Sequence, residues 1–146
     1  RKMKHKGAIM EYSKERMDDL MRAYDEYISS CDYIRMSEVY KIIVNMPSRR
    51  FWVSDIRAAL IISAMMRGKT DLSTMCPLKK EMYEEIYNRV FKLQEECPEL
   101  TISELCAKVI AQPAPKFYLT PGSAKVMVCK ARKQWIQEKW KRLRLL

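Results

Sequence analysis

The residues best placed to do chemistry are cations set beside aromatic rings. Two segments carry them: P-S-R-R-F-W-V-S from Pro47 and P-A-P-K-F-Y-L-T from Pro113. In the first, Arg49 and Arg50 precede Phe51 and Trp52; in the second, Lys116 precedes Phe117 and Tyr118. A cation next to an exposed ring can hold a phosphate while the ring stacks on a base. A third group follows: Lys125, Lys130, Arg132, Lys133, Lys139, Lys141 and Arg142, with Arg144 beyond. Residues 125–146 hold eight basic side chains against the single acid Glu138. A balance that one-sided predicts a polyanionic partner, nucleic acid above all. The competing structural reading makes Phe51 and Phe117 core plugs and the terminal cations a solvated helix face.

Other chemistries find little support. The only histidine is His5, and the five cysteines (Cys31, Cys76, Cys97, Cys106 and Cys129) include no C-x-x-C pair. A zinc site would lack any tight ligand pair. No Gly-rich phosphate loop and no Ser/His or Cys/His arrangement occurs. The acids Asp18, Asp19, Glu84 and Glu85 read as a solvated helix face; the alternative, a paired-carboxylate catalytic site, is disfavoured because neighbours on a helix diverge by about 100°. The expectation is therefore a protein that is not an enzyme, with no catalytic, cofactor or metal-binding residues and no cofactor.

The elements that position these groups come from an internal repeat. Residues 13–68 align without gaps on 79–134 at a constant offset of 66, with 69–78 as the connection. Met17, Leu20, Met21, Tyr24 and Tyr27 recur as Tyr83, Ile86, Tyr87, Val90 and Leu93, the spacing of one buried helical stripe. Ser37 and Ser103 read as N-caps of a second helix, whose stripe is Val39, Tyr40, Ile43 and Val44 or Leu105, Cys106, Val109 and Ile110. Pro47 and Pro113 end that helix near Met46 and Gln112. The aromatic loop follows and is expected to be locally extended, even a short strand pair between copies. Ser54 and Thr120 then cap a third helix, the second with Pro121 at its first position. Ala58 and Ala124 mark a close helix approach, and Gly68 offers a C-terminal stop.

The third helices differ. Ala58 to Met66 is apolar nearly all round, which predicts a buried helix or one covered by a partner. The equivalent run from Ala124 interleaves cations with Val128, Ala131 and Trp135, and is expected to pack its apolar stripe while its flanks stay basic. The fold class read from this is all-α: a tandem three-helix unit, about six helices in one compact body, with a basic C-terminal helix. The domain boundaries are 13–68 for the first repeat and 79–146 for the second with its extension.

This helix order resembles the tandem helix-turn-helix and Myb-like three-helix DNA-binding units, which present their last helix to the major groove. The P-x-x-[RK]-F-[WY] loop resembles one in small uncharacterised bacterial proteins. The resemblance implies DNA binding by the second repeat and assigns no particular base contact. The function expected is non-enzymatic nucleic-acid binding, DNA ahead of RNA. The candidate contacts are Arg49, Arg50, Lys116, Tyr118, Lys125, Lys130, Arg132, Lys133, Lys139, Lys141 and Arg142. The alternative is a helical adaptor or assembly protein that uses an apolar, methionine-rich surface to bind a protein partner or itself. A third reading lays the tail from Trp135 to Leu146 on a membrane surface. No run reaches the roughly 18–20 apolar residues of a membrane span. Unpaired cysteines point to the cytoplasm, and Arg1 at the first position suggests an upstream segment.

Overall fold

The computed structural model describes residues 6–69 and 72–144, with side chains from Tyr12 onward. The N-terminal cations Arg1, Lys2 and Lys4, His5 and the side chain of Lys6 lie outside that description, as do residues 70 and 71 of the connection. The described chain is all-α. Its helices are α1 (Lys6–Ser30), α2 (Met36–Ile43), α3 (Asp55–Met66), α4 (Pro77–Glu96), α5 (Ile102–Ile110) and α6 (Pro121–Arg144), with a 3-10 turn at Leu72–Thr74.

The helix boundaries follow local chemistry. The Ser54 hydroxyl accepts the Arg57 N–H at 3.1 Å, and Asp55 favours the positive end of α3. At the other end, Gly68 takes φ +68°, the left-handed conformation glycine adopts at least cost. Its N–H bonds the Met65 carbonyl while the Lys69 N–H bonds that of Ala64, a Schellman closure. The N-cap of α5 is Thr101, two residues before the serine expected to cap it. Thr101 accepts the Glu104 N–H at 3.2 Å, and the Glu104 carboxylate accepts the Thr101 N–H at 2.9 Å. Ser103 has Cys106 three residues on and cannot form that reciprocal pair. Likewise Arg35, not Ser37, is the N-cap of α2, without a side-chain bond. Both second helices also stop short of Met46 and Gln112. The Asn45, Met46 and Gln112 N–H groups bond carbonyls three residues back, tightening the turn before each proline.

The compact units cut across the sequence repeat. One contains residues 1–46 and 119–146, hence α1, α2 and α6; the other is Pro47–Tyr118, hence α3, α4 and α5. The third helix of each aligned half thus joins the first two helices of the other half, so each unit is a three-helix group that differs from the repeat boundaries 13–68 and 79–146. In the first unit α1 packs on α2 and α6, and α2 also packs on α6. Leu20, Ala23, Val39, Tyr40, Ile43, Ala124 and Val128 are buried there, and Tyr24 stacks on Tyr40 with ring centres 6.4 Å apart. In the second unit α3 packs on α5 and α4. Phe51, Ile62, Ile86, Val90, Leu105 and Val109 centre its core.

The loop after α2 shows how α3 reaches α5. Ser48 and Ala114 exchange both backbone hydrogen bonds at 3.0 Å. The two residues hold the same repeat position, so the expected strand pair is a single antiparallel bridge relating the loops by a local two-fold. The Ser48 hydroxyl donates to the Arg50 carbonyl at 2.8 Å. The Phe51 N–H then bonds the Ile110 carbonyl at 3.0 Å, and its ring enters the core with no exposed surface. Phe117 is buried too. Phe51→Ala is expected to cost about 3–5 kcal/mol, from lost burial plus the cavity left. Urea denaturation followed by circular dichroism measures it, and a loss under about 1 kcal/mol would contradict the plug role.

The acids do not all sit on a solvated face. Asp18 and Glu84 are exposed and Glu85 half-buried, but Asp19 is fully buried. Arg22, one turn on, donates to its Oδ1 from Nε (3.0 Å) and Nη2 (2.7 Å), and from Nη1 to Glu26 at 3.1 Å. A carboxylate can leave water when a guanidinium accompanies it, which a stripe-based reading of α1 does not anticipate.

Candidate nucleic-acid interface

Helix α6 supplies most of the candidate contacts. Thr120 starts it by accepting the Ser123 N–H at 3.1 Å. Pro121 follows at the first helical position, where no N–H is needed. Ala124 and Val128 are buried and Ala131 half-buried, so α6 is anchored through its first three turns. From Arg132 to Arg144 every residue is exposed. The expected apolar stripe therefore stops at Ala131, and Trp135, Ile136, Trp140 and Leu143 remain open.

All eight α6 cations are exposed, and none makes an ion pair among the described residues. Their angular order matters more than their number. With about 100° per residue, Lys130, Lys133, Gln137, Lys141 and Arg144 form one stripe about 21 Å long. It lies well away from the anchoring face of Ala124, Val128 and Ala131. Gln137 and Arg144 were not among the expected contacts; the 3-4-4-3 spacing that includes them is readable in the sequence once α6 is known to run to Arg144. Arg132 and Lys139 lie off this stripe, between Trp135 and Leu143 in angular position. Arg132 approaches the Tyr24 hydroxyl at 3.5 Å, and Lys139 lies 5.0 Å from the Trp135 ring centre. Lys125 is in the first full turn, near Lys41 on the rim of a small cleft. Lys141, Arg142 and Arg144 also suit the negative end of the helix.

The loop contacts are engaged differently. Arg49 is exposed. Arg50 donates to the Phe51 and Val53 carbonyls at 3.1 and 2.9 Å and lies 4.9 Å from the Trp52 ring centre. Lys116 pairs with Glu81 at 2.7 Å and sits over the Tyr118 ring. Tyr118 stacks on Phe51 with centres 6.1 Å apart and has φ +58°, an uncommon backbone for a bulky residue. Burial, then the Glu85 and Glu81 charges, pushes its phenol up to about 12. Arg50, Lys116 and Tyr118 thus brace the loop and the core edge. Arg89, which the sequence reading missed, joins them. It bonds Glu85 (2.9 Å) and the Pro113 carbonyl (2.9 Å) and covers the Phe51 ring at 4.9 Å. These loop residues belong to Pro47–Tyr118, and the α6 residues to the other unit.

The chemistry available on α6 is the binding of anionic oxygens by charge and hydrogen bonds. Among the described residues no group of three or more His, Cys, Asp or Glu side chains could hold a metal. Burial pushes the Cys106 thiol up to about 11, away from a reactive thiolate. No helix is long and apolar enough to cross a membrane among the described residues. Comparison with known proteins finds no matching family model, no matching curated protein and no matching solved structure.

Proposed function

We propose that the protein is a non-enzymatic nucleic-acid-binding protein, DNA being the expected form, that grips phosphates along the solvent face of α6. The observation carrying this reading is the stripe of Lys130, Lys133, Gln137, Lys141 and Arg144, exposed and free of ion pairs among the described residues. A major groove about 12 Å wide admits one helix, and every residue of α6 from Arg132 to Arg144 is exposed. The sequence repeat is read as a duplicated unit in which one third helix became the contact element. Five free thiols suit a cytoplasmic setting.

The test is an anisotropy titration of short duplex DNA and of single-stranded RNA at several salt concentrations. Four stripe cations on phosphates give a log–log slope of about −3.6 on duplex DNA. Absence of binding at low salt, or a flat slope, sinks the proposal.

A second reading rests on Trp135, Ile136, Trp140 and Leu143, exposed among the cations. Such a surface also suits an anionic membrane interface. Co-sedimentation with vesicles containing phosphatidylserine separates the two.

A further inference from the structure

Helix α3 keeps an apolar stripe in water. Ile56 is 68% and Leu60 63% exposed, although Ala58 and Ile62 on the opposite side are fully buried. Ser63 and Arg67 continue the stripe at spacings of four, three and four residues, and Ala59 lines the same shallow groove. This i, i+4, i+7, i+11 pattern is that of a helix-pairing seam. Its charges sit at opposite ends, Asp55 at the start and Arg67 at the close, and neither makes an ion pair among the described residues. The Asp55 carboxylate uses Oδ1 to accept the Ile56 N–H at 2.8 Å, leaving Oδ2 open.

We propose that α3 pairs antiparallel with α3 of a second copy of this chain. The stripe is complementary to itself in that direction, as a two-fold interface requires. An axis between Ile61 and Ile62 sets Leu60 against the small Ser63 of the other copy. The same axis sets Ile56 against the aliphatic stem of Arg67. Each Asp55 then meets the opposing Arg67, twice over. A parallel pairing sets Asp55 against Asp55 and Arg67 against Arg67, so charge selects the antiparallel register. The inference is independent of nucleic-acid binding by α6.

Sedimentation velocity on the full chain tests it. A single-helix seam is smaller than a standard interface, so a reversible dimer in the range of about 10–100 μM is expected. Leu60→Glu weakens it at least tenfold. Asp55→Arg and Arg67→Asp each weaken it, and the two together restore it. Circular dichroism checks that each variant keeps its helices, and Leu60→Ala, which leaves charge unchanged, supplies a milder second reading of the seam. A wild-type monomer throughout that range overturns the proposal. So does a dimer indifferent to Leu60→Glu, or a double charge exchange that fails to restore pairing.

Discussion

A fragment spanning residues 47–118 is expected to fold cooperatively, whereas one spanning 13–68 is not. All thirteen buried members of the core around Phe51 lie inside 47–118: Phe51, Val53, Ala58 and Ile62, then Met82 through Ala114. The 13–68 fragment keeps only the first four of them, because α4 and α5 are gone. Its α1 and α2 would also lack α6, against which both pack. Isolated helices with open apolar stripes are marginal in water, since most helical stability comes from packing that face. At roughly 70 residues the longer fragment is near the lower limit for a lone domain, so its stability should be only a few kcal/mol. Far-UV circular dichroism with urea titration decides the matter. A sigmoidal transition for 47–118 and a featureless, mostly unstructured 13–68 are expected. The reverse result would make the sequence repeat itself the folding unit.

That contrast also shows why part of the architecture was legible and part was not. Ser54, Thr120-Pro121, Gly68 and the Leu20 and Ile86 stripes act through neighbours three or four residues away, so one sequence suffices to place them. The grouping of helices is different in kind. Both aligned halves offer similar apolar faces, so α3 could meet α1–α2 or α4–α5 by pattern alone. What selects α5 is the Ser48–Ala114 bridge and the Phe51 N–H bond to Ile110, between residues more than fifty positions apart. The same distance problem affects the loop cations. Arg50 and Lys116 look free in the sequence, but their partners are backbone carbonyls and Glu81. Burial of Asp19 was equally hidden, since it depends on the helices that surround it as well as on Arg22. The α6 cations were easier to read. A helix end with eight bases and one acid has few internal partners to find.

The largest effect on binding is expected from reversing the α6 stripe. In the triple variant Lys130→Glu, Lys133→Glu, Lys141→Glu, duplex affinity should fall by roughly 10²–10³-fold near 0.1 M salt, since each lost phosphate contact forfeits about one released counterion. The salt slope should shrink by about 2.7 for the same reason, leaving little beyond the Arg144 contact. Reversal adds repulsion to that loss, so the fold-change is a lower bound. The comparison variant is Arg132→Glu, Lys139→Glu. Its residues are exposed too, but one approaches Tyr24 and the other lies over Trp135, off the stripe. Nonspecific attraction to a positive tail would penalise both variants in proportion to charge removed. Docking of one helix face penalises the triple variant far more per charge. All five positions are exposed, so each substitution should change stability by no more than about 1 kcal/mol, most at Lys141 near the helix end. A thermal melt checks that any lost affinity is not lost fold. Equal loss per reversed charge in the two variants would remove the stripe from the mechanism and leave only a diffuse electrostatic contact.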